Sequence, residues 1–184
     1  MSKYSSQFWG PIPEAKPIEF GHQTRNAKQM VRKVLNTILA YLAYRCPSNK
    51  LRIQLHRWRG CHIGDYCYLG QYCILDNLAP EYIYIEDYAY VNAGNMILTH
   101  FNPATRFKHV FTAEVSPVVI KSNSMVAVRC TIMPGVTIGE FSMVSAGLII
   151  DHDIPDYNLY SVVSKPKLVN LKKVIMRGIK QEQA

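Results

Sequence analysis

The chain is predicted to be an all-β solenoid, a stack of short coils, and two observations carry that prediction. The first is a period. Twelve aliphatic residues recur every six positions in three blocks: Ile63, Leu69 and Leu75; Ile85, Val91 and Ile97; then Ile120, Val126, Ile132, Ile138, Val144 and Ile150. That spacing matches neither a helix turn nor strand alternation. The second is the content of each six-residue unit. Turn residues fall at positions three and four, as in Pro134-Gly135 and Ala146-Gly147, and a small or apolar residue falls at position five, as in Ser124, Cys130, Val136, Ser142 and Leu148.

A short strand with one inward side chain, followed by a turn, produces such a unit, and three units close one coil. Residues eighteen apart then stack, which puts Ile120 over Ile138 and Val126 over Val144. Residues 63–80 make the first coil, and Ile85 opens the second after four extra residues. That coil is interrupted near His100, and residues 120–137 and 138–155 supply two more. About four coils are expected, roughly 20 Å long at about 5 Å per strand spacing.

The segments around the repeat divide the chain into residues 1–59, an arm and a helix; 60–156, the solenoid, with a projecting loop over 101–117; and 157–184, a C-terminal extension. The first 24 residues hold Pro11, Pro13 and Pro17 and read as an extended arm, packed on the body or on a neighbour. Residues 26–45 read as a helix capped by Asn26. Its apolar stretch is too short to span a bilayer. It is either a lid over the open first coil or an amphipathic element on a membrane surface. Leu51 to Arg59 reads as the entry into the first coil. The tyrosines Tyr66, Tyr68, Tyr72, Tyr82, Tyr84, Tyr88 and Tyr90 suit sugar stacking or, preferably, packing between subunits. From Tyr157 onward the chain is expected to turn back along the body through Leu168, Val169, Leu171 and Val174 to Met176.

Charge narrows the partners. The formal net charge is +8, and residues 25–59 carry nine Lys or Arg and no Asp or Glu. Such an excess attracts anionic lipid, nucleic acid or a phosphorylated cofactor, or simply forms a solvated surface. No nucleic-acid motif interleaves with it, so no nucleic-acid partner is expected. Five cysteines without an apparent secretory leader point to a reducing, cytoplasmic setting, free or peripheral at the inner membrane. Cys67, Cys73 and Cys130 fall at position five and read as buried structural thiols; no CxxC pair suggests a metal.

The most informative local stretch is Asn92 to His100, because the repeat breaks just after it. A coil tolerates an insertion only where the loop leaves and returns in register, and Phe101 to Pro117 does so. His100 stands at the point of departure. A histidine there suits a general base that takes a proton from a hydroxyl as it attacks a thioester carbonyl. The alternative is a histidine that only stabilises the loop. Asp87 and Glu114 are the candidates for its orienting partner, and His109 is the rival base.

These residues carry a resemblance. Asn92 to His100, Pro117-Val118-Val119-Ile120, Ile132-Met133-Pro134-Gly135-Val136-Thr137-Ile138-Gly139, Ala146-Gly147 and Asp153-Ile154-Pro155 resemble the hexapeptide-repeat acyltransferase superfamily, in particular its sugar and polysaccharide O-acetyltransferases. The resemblance covers roughly residues 60–168. It implies a left-handed parallel β-helix, an exception to the right-handed crossover rule, and a homotrimer with active sites between subunits. It also implies acetyl-CoA as donor, a saccharide or glycolipid acceptor, no metal, and His100 as the base. Asn92 is expected to face the acceptor. The pantetheine arm is expected beside Ala127 and Ala146. The chain departs from the family pattern at Lys121, Met125 and Ala127, at His152 in place of a lysine, and at Ser164-Lys165-Pro166-Lys167 in place of Gly-Asn-Pro-Ala. Lys165 and Lys167 are assigned to the CoA phosphates by charge. Three other readings stand beside an O-acetyltransferase of surface polysaccharide or lipopolysaccharide assembly. They are a non-catalytic β-helix scaffold, an N-acetyltransferase acting on an amino sugar, and a zinc hydratase, which needs three convergent histidines.

Overall fold

The structure, a computed structural model, describes residues 4–18, 27–107 and 110–162. Short parallel strands lie in three sheets that the chain visits in rotation. The first sheet holds His62–Ile63, Ile83–Ile85, Val118–Ile120 and Thr137–Ile138. The second holds Tyr68–Leu69, Tyr90–Val91, Met125–Val126, Met143–Val144 and Leu159–Tyr160. The third holds Ile74–Leu75, Met96–Ile97, Thr131–Ile132 and Ile149–Ile150. Ile120 pairs with Ile138 and Val126 with Val144, as the eighteen-residue spacing requires. All twelve periodic aliphatics are at most 2% exposed, so one continuous apolar column fills the interior. Fully burying each such side chain is worth about 1.5–3 kcal/mol.

Among the tyrosines, Tyr66 and Tyr88 also have a local part at the corners. Tyr66, Tyr88, Asn123, Phe141 and Tyr157 turn the chain between the first and second sheets, each with φ between 51° and 62°. That left-handed backbone costs about 1–2 kcal/mol for a residue with a Cβ. Stacked rings offset part of it: Tyr66 lies on Tyr88 at 4.9 Å and Phe141 on Tyr157 at 5.3 Å. These rings remain largely exposed on their outer faces.

Two helices precede the coils, α1 (Ala27–Arg45) and α2 (Asn49–Trp58). The second corrects the sequence reading, in which Leu51 to Arg59 simply entered the first coil. Ser48 caps α2 by accepting from the Leu51 N–H at 3.4 Å. Its inward positions are Arg52, Ile53, Leu55 and His56, a helical spacing that hydrophobicity does not reveal because two of the four are cationic or titratable. The lid over the open end is therefore α2, and α1 packs on α2 through Leu39, Ala43 and Leu55.

The cap works through its polar side chains. Arg57 donates to the Ile63 carbonyl at 2.9 Å and to Gly64 at 2.7 Å; Arg52 donates to Leu69 at 2.6 Å; Arg59 donates to Leu75 at 3.1 Å. Each sheet thus receives one arginine on the edge strand of the first coil. Asn49 adds an acceptor for the Leu69 N–H and a donor to the Cys67 carbonyl. Backbone groups that would otherwise be buried unpaired or left as a sticky edge are satisfied.

The N-terminal arm lies on this same body. Ser5 and Ser6 donate to the Asp87 carboxylate, Trp9 meets His62 and Tyr84 edge-on, and Arg57 stands 3.7 Å over the Tyr4 ring. Lys16–Pro17 then pairs antiparallel with Glu114–Val115, which pairs with His100–Phe101. The excursion after His100 therefore begins and ends as a ribbon, with the arm as its third strand. At the other end, Leu159–Tyr160 continues the second sheet for one more strand, and the apolar stretch from Leu168 to Met176, expected to turn back along the body, lies outside the described residues. Asn26, His109 and residues 163–184 lie outside the described residues.

Close approach between coils leaves no room for a side chain at Gly64, Gly70 or Gly139. A Cβ on Gly70 would sit 2.3 Å from the Ala93 nitrogen and 2.5 Å from the Asn92 carbonyl carbon, both backbone atoms. Gly70→Ala is expected to destabilise the fold by about 1–3 kcal/mol, the usual cost of overpacking. A lowered thermal midpoint in calorimetry checks this, and an unchanged midpoint would contradict the packing.

Candidate active site

The third sheet carries the site. Ile74–Leu75 ends at Asp76, and one circuit later Met96–Ile97 runs on to Thr99 and His100. The 97-over-75 pairing brings the two segments side by side. Asp76 Oδ2 accepts from the Thr99 N–H at 2.8 Å, lies 2.9 Å from the Thr99 hydroxyl, and meets His100 Nδ1 at 2.5 Å. Asp76 Oδ1 accepts from the Leu78 N–H at 2.7 Å. The Asp76 side chain is 2% exposed and that of His100 is 31% exposed, so a buried carboxylate holds a ring that reaches solvent.

Burial pushes the Asp76 carboxyl up, but hydrogen bonds from the Thr99 and Leu78 amides and from His100 outweigh it and hold the group below its ordinary range. Asp76 is therefore ionised at neutral pH. An ionised carboxylate on Nδ1 selects the tautomer with its proton there, which leaves the Nε2 lone pair free to accept a proton.

The cap helix reaches into the same site. Arg59, 1% exposed, donates to the Asp76 carbonyl at 2.8 Å and bonds the Asn77 side chain. Its other terminal nitrogen lies 2.7 Å from His56 Nδ1. Arg59 is itself buried and holds the backbone of Asp76 from beneath. Burial and the adjacent Arg59 and Arg52 guanidiniums push the His56 imidazole down to about 3, so it stays neutral and accepts from Arg59.

The structure separates the other residues singled out by sequence. Asp87 is not the partner of His100; it binds Ser5, Ser6 and the Asp65 N–H. Glu114 sits opposite Phe101 in the ribbon with an exposed side chain. The actual partner, Asp76, was missed because it lies 24 residues upstream in the preceding coil. The one signal that could have found it is the stacking register, which places Leu75 beside Ile97. Asn92 sits on a corner, where its side-chain amide donates to the Val126 carbonyl at 2.9 Å. Ala127 and Ala146 lie in the next two coils on that side; the Ala127 N–H is bonded to Val144, and Ala146 is exposed. Lys165 and Lys167 lie outside the described residues. All five cysteines are free and buried, and burial pushes Cys61 and Cys67 up to about 12. Among the described residues, no three His, Cys, Asp or Glu side chains converge as a metal site would need.

Comparison with solved structures bears on the fold. A hexapeptide-repeat-containing acetyltransferase from Vibrio cholerae aligns with a TM-score of 0.59 at 19% identity, over 73% of this chain and 87% of its own. A maltose O-acetyltransferase from Clostridium difficile aligns at 0.58 and 19%, over 73% and 83%. The fold is that of the hexapeptide-repeat acetyltransferases. The Vibrio cholerae enzyme complexed with acetyl coenzyme A also aligns, at 0.53 and 18%, over 77% and 86%. No protein-family model and no curated protein sequence matches the chain.

The His56 pair gives a pH test. In the unfolded chain a histidine titrates near 6.5, well above the folded value of about 3. Between those values the unfolded state binds more protons, so stability falls as the pH falls from about 6.5. His56→Gln keeps an acceptor for Arg59 and removes this titration. Its thermal midpoint is expected to vary less than that of the parent chain from neutral pH down to about 4; an equal slope would contradict a neutral buried His56.

Proposed function

We propose that this chain is an acetyl-CoA-dependent O-acetyltransferase that modifies a saccharide hydroxyl. The observation that carries the proposal is the solvent-reaching His100 ring held on the buried, ionised Asp76, in a fold shared with acetyltransferases. Asp76 plays the orienting part and His100 Nε2 the base. The acceptor hydroxyl loses its proton to Nε2 as its oxygen forms a bond to the thioester carbonyl. The carbon–sulfur bond then breaks and the CoA sulfur leaves, taking up the proton from the imidazolium. Asp76 stabilises the imidazolium between the two steps, and no covalent acyl-enzyme is needed when donor, acceptor and base are aligned. A backbone N–H is the expected donor to the transient oxyanion.

The remaining assignments belong to the same proposal. The winding is left-handed, about four coils over residues 60–156, flanked by segments 1–59 and 157–184. Three copies assemble so that His100 faces a groove shared with a neighbour. Acetyl-CoA lies beside Ala127 and Ala146 with its phosphates on Lys165 and Lys167, and Asn92 borders the acceptor. The setting is cytoplasmic, and the product serves surface polysaccharide or lipopolysaccharide assembly. The acetyl-CoA complex of the Vibrio cholerae enzyme and the maltose O-acetyltransferase support donor and acceptor class.

Thiol release from acetyl-CoA, measured across saccharide acceptors, tests this reading. His100→Ala is expected to lose about 10²–10⁴ in kcat, the range of general-base contributions, with its acetyl-CoA Kd changed little. Asp76→Asn is expected to fall between the parent and His100→Ala. Normal turnover by His100→Ala would remove the base assignment. Neutralising Lys165 and Lys167 together is expected to raise the acetyl-CoA Kd; an unchanged value would remove them from the phosphate site.

A further inference from the structure

Helix α1 buries only one narrow face. Leu39 and Ala43 turn inward toward Leu55 and Cys46. The opposite face is apolar and open: Val31 is 59% exposed, Val34 57%, Leu35 52%, Ile38 49% and Leu42 51%. At helical spacing these five form one continuous stripe. Leu51, at the start of α2, lines a shallow cleft with Leu42 and extends the stripe. A soluble surface helix normally shows the reverse arrangement, with its polar side outward. Exposed apolar patches of this kind mark interaction sites.

Charge selects the occupant. Exposed Arg32 and Lys33 flank the stripe on its two sides, and exposed Arg45 and Lys50 stand at its end. No acidic residue occurs anywhere from 25 to 59. A two-fold contact between copies through this stripe would bring those cations together. The tail over residues 163–184 is itself basic, with six Lys or Arg against the one acid Glu182, so it is a poor cover. Among the described residues no helix is long and apolar enough to cross a membrane. An apolar stripe rimmed by cations on a helix that does not span is the arrangement that lies in the plane of an anionic bilayer.

We propose that α1 docks this protein on anionic membrane surfaces, with Val31, Val34, Leu35, Ile38 and Leu42 entering the acyl boundary and Arg32, Lys33, Arg45 and Lys50 meeting lipid phosphates. The proposal is independent of the acetyltransferase reading. It gives that reading a consequence, because α1 residues Tyr41 and Tyr44 share a cleft with Leu75 and Asn77 on either side of Asp76.

Flotation of the full-length protein with vesicles tests it, using phosphatidylcholine alone and phosphatidylcholine mixed with phosphatidylglycerol. Binding is expected only with the anionic vesicles and is expected to weaken as salt rises. The double variant Val34→Glu/Ile38→Glu changes two exposed positions and is expected to lose about tenfold or more in partitioning, with its oligomeric state by light scattering and its thermal midpoint unchanged. Absence of binding by the parent chain would overturn the proposal, as would equal binding to neutral vesicles. Binding retained by the double variant would also overturn it and place the lipid contact elsewhere. A changed oligomeric state in that variant would assign the stripe to a contact between copies instead.

Discussion

Closing the first coil is the constraint on which the rest of the structure depends. A stack of parallel coils satisfies its backbone from one turn to the next and leaves one row of carbonyls without partners where it begins. Those carbonyls recur at Ile63, Leu69 and Leu75, with the same six-residue period as the core. Helix α2 answers them with Arg57, Arg52 and Arg59. The guanidinium is suited to this work because it presents several N–H groups in a rigid plane and stays charged when buried. Nearly buried Arg52 and Arg59 are tolerable because carbonyl dipoles and side-chain acceptors surround them.

The same cap reaches the candidate site. Arg59 holds the backbone of Asp76, Asp76 holds Nδ1 of His100, and His100 begins the ribbon that the N-terminal arm completes. Each link is short and mostly buried. Stability and site geometry therefore share residues, and the imidazole is positioned from beneath by the coil rather than by its own loop. The second ribbon strand returns the chain to the first sheet at Val118–Ile120, in register with Ile83–Ile85, so the excursion costs the core nothing.

The periodic aliphatics made the stack legible, because a side chain every six residues has one geometric solution in which all of them face inward. His100 could be singled out as a candidate because it stood where that period broke. Helix α2 was not, since its inward face is built from arginine and histidine and carries no hydrophobic pattern. The stacked corner rings were not, because a tyrosine with a left-handed backbone reads in sequence like any surface tyrosine.

The sequence alone determined the inward column, the eighteen-residue register and the position of the interruption, because these follow from local period and covalent spacing. Only the tertiary structure decided which carboxylate serves His100. Asp87 and Glu114 were nearer in sequence than Asp76, yet neighbours in a coiled stack are set by the rise from one turn to the next. Distance along the chain does not order distances across it, and the pairing of Leu75 with Ile97 is what brings the acid to the ring.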